Sequence, residues 1–232
     1  MINHSETKPM DFLFDIGNVI VHVDFISSLK KLMPDGIDEP DNRLYRLIER
    51  KDEFEAGRIP PADYFPWAAE TLGFTGELET FMEAWVDIFS PNEPMWNTIQ
   101  ELHRTKHRLI LFSNINEPHI HFLQKQYPVF QCFAGGIFSY QTGHIKPEQE
   151  IYQLAIKQYE LVPERTIYID DLPANIEGGK KADLICHQYQ AERHDEFLNW
   201  LNGIIWPSAY RSLLRLIFNI DSNQQYYFGD IK

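Results

Sequence analysis

The chain has 232 residues, of which 44% are hydrophobic and 14% aromatic, a composition typical of a folded globular protein with one large domain, or one domain with an insert. Its 34 acidic and 21 basic side chains give a formal net charge of -13, which argues against nucleic-acid and anionic-membrane partners because like charges repel. The polar first ten residues and the lack of an apolar stretch near the ~20 residues of a spanning helix predict a soluble, cytoplasmic protein. Two cysteines, Cys132 and Cys186, are too few for a disulfide framework.

Five apolar runs of strand length recur along the chain, with helix-like segments between them. They cover residues 12–21, 108–114, 133–139, 166–171 and 183–188. Runs that are apolar on both faces are typical of buried parallel strands, because helices cover both sides of such a sheet. The alternation of strand and helix, for example a predicted helix over 148–160, therefore predicts an α/β fold with a doubly wound parallel sheet.

One connection is much longer than a crossover requires. About 85 residues, 23–107, separate the first strand from the second. Helical patterns over 43–49, 62–72 and 78–89 predict a small all-helical insert at residues 25–90. The α/β core then comprises residues 1–24 and 91–206.

A C-terminal segment, residues 207–232, follows the core. The run from Tyr210 to Phe218 predicts a helix with one apolar face. That face could dock on the chain's own core or on a second copy or partner, and the sequence leaves the oligomeric state open.

Polar residues lie at the carboxyl ends of four of the predicted strands or shortly after them. Ligands of open α/β sheets bind at the carboxyl ends of the strands, and the residues there are Asp15, Ser113 with Asn114, Lys146 and Asp170 with Asp171. Taken singly, the first three signals are better explained by a turn-capping Asp, ordinary turn residues and a solvated Lys. Adjacent carboxylates at a buried strand end repel each other unless a cation lies between them. The pair therefore favours a Mg²⁺ site, with Asn175 placed to orient one carboxylate.

The order of these residues, Asp, then Ser-Asn, then Lys-Pro, then Asp-Asp, resembles the four-motif signature of the haloacid dehalogenase-like (HAD) hydrolase superfamily. The likeness covers residues 11–188. The helical insert resembles the small mobile cap of that superfamily, and residues 54–59, Phe-Glu-Ala-Gly-Arg-Ile, are similar to a stretch common in such caps. The first motif, residues 14–19, resembles that of bacterial sugar-phosphate phosphatases, including sugar-1-phosphate phosphatases.

The resemblance implies a role for each matching residue. Asp15 would attack phosphorus and form an aspartyl-phosphate, and Lys146 would neutralise charge shared with the phosphate. Ser113 and Asn114 would hold the phosphoryl oxygens. Independently of the resemblance, Asn116 and His119 are candidates for the lining of the substrate pocket. The implied Mg²⁺ ligands are Asp15, the backbone carbonyl of Gly17, Asp171 and, directly or through water, Asp170.

One residue departs from the pattern of the family's phosphatases. Most of them carry a second Asp two residues after the nucleophile as general acid and base, whereas this chain has Gly17 there. Losing a positioned proton donor typically costs about 10²–10⁴-fold in rate. Three possibilities stay open: a slow enzyme, another proton source such as water, His22 or Asp24, or a substrate whose leaving group needs little help. We favour the last, since anomeric sugar phosphates and acyl phosphates have weakly basic leaving groups.

The sequence thus predicts a Mg²⁺-dependent phosphomonoester hydrolase acting on a small phosphorylated metabolite, with a sugar phosphate as the suggested class. A second hypothesis is metal-independent carbon–halogen hydrolysis by Asp15, against which the paired Asp170 and Asp171 argue. A third is a binding or regulatory protein that keeps the fold without activity, and Gly17 is its one piece of support.

Overall fold

The computed structural model describes residues 9–205 and contains seven strands and ten α-helices in that range. In chain order the strands are β1 (Asp11–Phe14), β2 (Val21–Val23), β3 (Phe89–Pro91), β4 (Arg108–Ser113), β5 (Gly136–Phe138), β6 (Thr166–Asp170) and β7 (Ile185–Gln188). The helices are α1 (Phe25–Lys30), α2 (Pro40–Glu55), α3 (Pro61–Leu72), α4 (Leu78–Val86), α5 (Glu93–Arg104), α6 (Glu117–Gln126), α7 (Ser139–Thr142), α8 (Gln149–Tyr159), α9 (Pro173–Lys181) and α10 (His194–Ile205).

Five strands form one parallel sheet in the order β5-β4-β1-β6-β7. Side chains alternate between its faces, so Phe12 and Phe14 of β1 lie in one apolar cluster and Leu13 lies in another on the opposite side. Helices cover both clusters, which is why the strands are continuous apolar runs in the sequence. The predicted α/β fold with a doubly wound parallel sheet is confirmed.

From its composition we expected the first apolar run to form one strand, but the structure divides it into two. β1 ends at Phe14, and the fully buried Val19 and Ile20 lie in the turn that follows. The chain then forms β2, which pairs antiparallel with β3 so that Val23 faces Phe89. The helix predicted to reach residue 89 therefore ends at Val86, because the next residues belong to this two-stranded ribbon.

The residues between the two ribbon strands, 24–88, carry helices α1–α4 and their own apolar cluster. Its buried members are Leu29, Leu44, Leu47, Phe54, Tyr64, Phe65, Ala68, Ala69, Leu72, Phe81 and Trp85. This cluster is distinct from the two that lie on the faces of the sheet. The exact division of the chain into core and insert stays a prediction.

The C-terminal helix expected at residues 210–218 lies outside the described part of the chain. Within residues 9–205, no helix combines the length and apolar character needed to cross a membrane.

Candidate active site

The carboxyl ends of β1, β4 and β6 meet at one edge of the sheet. Phe14 is in register with Leu111 and Ile169, so the chain positions just beyond these residues converge. A cavity of about 370 Å³ opens there, between the sheet edge and helices of the insert. It is lined by all but one of the predicted site residues, namely Asp15, Gly17, Ser113, Asn114, Asn116, Lys146 and Asp171. Asp170 lies directly behind this wall and is fully buried.

Lys146 links the carboxylates of two strands. Its Nζ lies 2.8 Å from Asp15 Oδ1 and 2.6 Å from Asp170 Oδ2, and it also donates to the Phe112 carbonyl at 2.9 Å. Burial lowers the pKa of Lys146, but the two carboxylates raise it by more, so that the net shift is upward. The side chain is therefore a fixed ammonium group beside Asp15.

The amide of Asn114 holds the backbone of Lys146 in place. Its Oδ1 accepts from the Lys146 N–H at 2.7 Å, and its Nδ2 donates to the Lys146 carbonyl at 2.9 Å. Both polar atoms of the Asn114 amide thus bond to the main chain of a residue 32 positions further along the sequence. Asn114 therefore positions the lysine, a role that its place after β4 did not suggest.

Asp170 accepts hydrogen bonds at both carboxylate oxygens. Besides Lys146, its donors are the Tyr168 hydroxyl at 2.6 Å, the Leu172 N–H at 2.9 Å and the Asn175 amide at 3.1 and 3.2 Å. Asn175 thus contacts the first carboxylate of the pair, as its spacing suggested. This set of donors meets the hydrogen-bonding needs of a fully buried side chain.

The three acidic side chains form a group that fits a divalent cation. One oxygen from each of Asp15, Asp170 and Asp171 can be chosen so that all three lie within 4.8 Å of one another. Burial raises the pKa of Asp15 to about 7; Lys146 opposes this shift, and the neighbouring acids add to it. Burial also raises the pKa of Asp171. Because Lys146 balances one of three negative charges, a hard dication such as Mg²⁺ matches the remaining charge and the oxygen donors.

The polar side chains at and after the end of β4 differ in how many hydrogen-bond partners they have. The Ser113 hydroxyl has one long contact, 3.5 Å to the Asn114 carbonyl, so it can turn to a ligand. Asn116 caps α6 by accepting from the His119 N–H at 3.1 Å, and its Nδ2 lies 2.9 Å from His119 Nδ1. His119 Nε2 lies 3.1 Å from the Trp85 carbonyl of the insert. Burial lowers the pKa of His119 to about 4, so the ring is neutral.

The insert contributes the rest of the cavity wall. It is mostly apolar, with Phe25, Ile48, Trp85 and Ile88, but it also contains the pair Lys51 and Glu55. Lys51 Nζ donates to Glu55 Oε2 at 2.8 Å, and Glu55 is buried. From the sequence, the segment around Glu55 resembles a stretch common in caps, but we assigned Glu55 itself no role. The signal that could have indicated one is the spacing of Lys51 and Glu55, which are oppositely charged and four residues apart on a helix.

Two proton sources considered from the sequence do not line the cavity. His22 is exposed on β2, opposite Ser90. Asp24 is exposed and caps α1, accepting from the Ser27 N–H at 3.1 Å. Neither replaces the acid that is missing at Gly17.

The structure places a cavity lined by acidic and basic side chains at the carboxyl edge of a parallel sheet, which is where open α/β sheets bind their ligands. A family model described as haloacid dehalogenase-like hydrolase matches residues 12–183. The chain belongs to this family and is a hydrolase.

Several known proteins resemble the chain more specifically. The chain is 27% identical over 181 residues to a D-ribitol-5-phosphate phosphatase of Bacteroides thetaiotaomicron, covering 74% of this chain and 87% of that protein. An HAD family enzyme of the same organism, solved with magnesium and inorganic phosphate, has a TM-score of 0.66 and 22% identity, over 79% of this chain and 95% of that one. An HAD-like family hydrolase of Porphyromonas gingivalis has a TM-score of 0.63 and 20% identity, over 94% and 99%. At such identities the structural likeness shows the fold alone.

Proposed function

We propose that this protein is a Mg²⁺-dependent phosphomonoester hydrolase that acts through an aspartyl-phosphate on Asp15. The observation that carries the proposal is the buried Lys146 ammonium held between Asp15 and Asp170, with Asp171 beside them on the cavity wall. Phosphoryl transfer depends mainly on alignment and charge stabilisation, which this arrangement supplies. The curated relative named as a phosphatase supports the same reaction class.

Each residue then has a defined task. Asp15 provides the attacking carboxylate oxygen, and Lys146 neutralises charge shared between that oxygen and the phosphoryl group. Ser113, whose hydroxyl is free to turn, binds a phosphoryl oxygen, and the main chain around Asn114 and Asn116 forms the rest of that pocket.

A bound Mg²⁺ would screen the repulsion between the carboxylate nucleophile and the anionic ester. Asp15, the Gly17 carbonyl and Asp171 would hold it. Asp170 would act directly or through water, and the water-mediated role is favoured because both of its oxygens already accept hydrogen bonds.

The substrate is a small phosphorylated metabolite, and a sugar or sugar-alcohol phosphate is the class we favour. The cavity, about 370 Å³, is at the small end of the range for ligand sites. Its wall includes the charged pair Lys51 and Glu55, which offers hydrogen-bonding groups for hydroxyls. The relative that is named for a sugar-alcohol phosphate points to the same class.

The test is release of inorganic phosphate from sugar phosphates, sugar-alcohol phosphates, nucleotides and acyl phosphates, with Mg²⁺ and with chelator. Turnover that requires Mg²⁺ and disappears in Asp15→Asn is the expected result. Halide release from 2-haloacids without metal would instead indicate the dehalogenase reaction. Folded protein that stays silent on every ester would refute the proposal and favour a binding protein.

A further inference from the structure

When the leaving oxygen is strongly basic, as in an alkyl phosphate, transfer of the phosphoryl group to Asp15 requires a proton for that oxygen, and Gly17 cannot supply it. Among residues 9–205, the titratable side chains on the cavity wall are Asp15, Lys51, Glu55, His119, Lys146 and Asp171. A general acid must reach the ester oxygen, carry a proton and be free to give it up. Few groups on the wall meet all three requirements.

Most of these groups are committed elsewhere. His119 is neutral, and its two ring nitrogens lie against Asn116 and the Trp85 carbonyl. Lys146 is held between two carboxylates. Asp15 is the nucleophile, and Asp171 belongs to the acidic group that fits a cation. The remaining titratable groups are Lys51 and Glu55, which lie on the wall that the insert contributes.

We propose that Glu55 is the general acid and base of this enzyme, supplied by the insert in place of the aspartate that Gly17 replaces. The inference rests on the proposed phosphatase function. It replaces the possibility we favoured from the sequence, in which the leaving group needs little help.

The backbone of Glu55 is fixed to the sheet edge, so its side chain is placed as part of the site. The Ser139 hydroxyl donates to the Glu55 carbonyl at 2.5 Å, and the oxygen of that hydroxyl accepts from the Ile115 N–H at 2.9 Å. Ile115 follows the Ser113-Asn114 motif directly. Two residues beyond Glu55, Gly57 approaches the carbonyl of Tyr140 so closely that a Cβ would lie 2.2 Å from it.

The carboxyl group itself is suited to exchange a proton. Lys51 donates to Oε2, whereas Oε1 has no hydrogen-bond partner within the described part of the chain. Burial raises the pKa of Glu55, and Lys51 and the more distant Lys146 oppose that shift. Asp52 of the same helix raises it further, and Tyr64 of α3 is the other titratable group nearby. The net result is a carboxyl group that holds its proton more tightly than usual.

The two half-reactions balance with Glu55 alone carrying the proton. In the first, an Asp15 oxygen bonds to phosphorus, the ester P–O bond breaks, and the Glu55 proton passes to the departing oxygen, leaving a carboxylate. In the second, water bonds to phosphorus while its proton passes to that carboxylate. The bond between Asp15 and phosphorus breaks, which restores Asp15 and releases inorganic phosphate.

The test compares phenyl phosphate with 4-nitrophenyl phosphate in Mg²⁺, because the two esters are similar in shape but differ in leaving-group basicity. Glu55→Gln keeps an acceptor for Lys51 and removes the proton. It should lower kcat/KM for phenyl phosphate by about 10²–10³-fold, and for 4-nitrophenyl phosphate by less than about tenfold. Because the base of the second step is also lost, the variant should give a burst of about one nitrophenolate per site.

Glu53→Gln is the matched control, since Glu53 lies on the same helix but is exposed and paired with Arg50. It should leave both substrates unchanged. Glu55→Asp, which keeps a carboxyl group, should recover part of the loss on phenyl phosphate.

Equal losses on both esters without a burst would mean that Glu55 only positions the substrate, and would overturn the inference while leaving the phosphatase intact. The wild-type enzyme gives a reading that needs no variant: its kcat/KM should depend only weakly on leaving-group basicity. A steep dependence would overturn the inference in the same way. Wild-type silence on every ester, the metabolite phosphates as well as the two aryl phosphates, would overturn the phosphatase proposal itself.

Discussion

Replacing Gly57 by Ala tests how closely the insert approaches the sheet edge. Gly57 has a φ of +68°, and an added Cβ would lie 2.2 Å from the Tyr140 carbonyl oxygen. Gly36 has a similar φ of +74°, but a Cβ there would meet nothing within 4 Å. Gly36→Ala therefore measures the cost of the left-handed backbone alone, about 1 kcal/mol.

The additional cost at position 57 follows from the contact. Ordinary contact begins at 3.4 Å, so the helix end and the carbonyl must separate by about 1.2 Å. Overpacking of this kind costs about 1–3 kcal/mol, and the displaced Glu55 carbonyl loses its bond from Ser139, worth about 1 kcal/mol. Gly57→Ala should therefore lower the free energy of unfolding by about 2–4 kcal/mol more than Gly36→Ala does.

Urea denaturation of the two variants gives this difference, and kcat/KM on the two aryl phosphates shows whether Glu55 has moved. Gly57→Ala should lose more activity on phenyl phosphate than on 4-nitrophenyl phosphate, whereas Gly36→Ala should resemble wild type. If the two variants are equally stable, the close approach of the insert to the Tyr140 carbonyl is wrong, and with it our account of how Glu55 is held.

Three further changes test the site. Lys146→Met leaves the two buried carboxylates beside it without a cation, so the free energy of unfolding should fall by about 3–5 kcal/mol and turnover should stop. Mg²⁺ should then raise the Tm of the variant by more than it raises the Tm of wild type, and thermal melts with no greater Mg²⁺ effect would contradict this. His119 has a folded pKa near 4 against an ordinary value of 6.5. The stability it contributes is therefore present above pH 6.5 and falls by up to about 3 kcal/mol as the pH drops toward 4. His119→Gln should show a correspondingly shallower loss by urea denaturation across that range, and an unchanged slope would refute it. Tyr168→Phe removes a donor to Asp170, which also forms a salt bridge with Lys146, and should cost about 1.5–3 kcal/mol in the free energy of unfolding. Tyr152→Phe, whose hydroxyl donates to a main-chain carbonyl, should cost about 1 kcal/mol, and equal costs in urea denaturation would contradict this difference.

The sheet could be predicted from sequence because its strands are covered on both faces. Residues 108–113 and 166–170 are apolar at most positions, a pattern typical of strands buried between two layers of helices. The apolar run alone did not show where β1 ends, since it continues through Val19 and Ile20 into a buried turn, and Asp15 was the one sign of the strand end. Periodicity does not distinguish a buried strand from a buried turn of the same composition.

The order of residues along the chain predicted only the part of the site that lies at the ends of the sheet strands. The polar residues after each strand gave the wall of the cavity on the sheet side. The side of the insert depends on how α2 packs against α7, and contacts between Gly57 and Tyr140, 83 residues apart, set this arrangement. The occupied amide of Asn114 illustrates the same limit, because its partner Lys146 is known only once the chain has folded.

The ribbon of β2 and β3 has a consequence for the modularity of the chain. Its strands place Val23 and Phe89 side by side, so the 65 residues at 24–88 leave and rejoin the core at neighbouring points. For the sheet, this long insertion has the geometry of a short hairpin loop. Pairing of the ribbon strands and burial of the insert's own apolar cluster offset the entropy that is lost when this long loop closes. Helices can thus be lengthened, shortened or exchanged above the ribbon while the register of β1 with β4 and β6 stays the same.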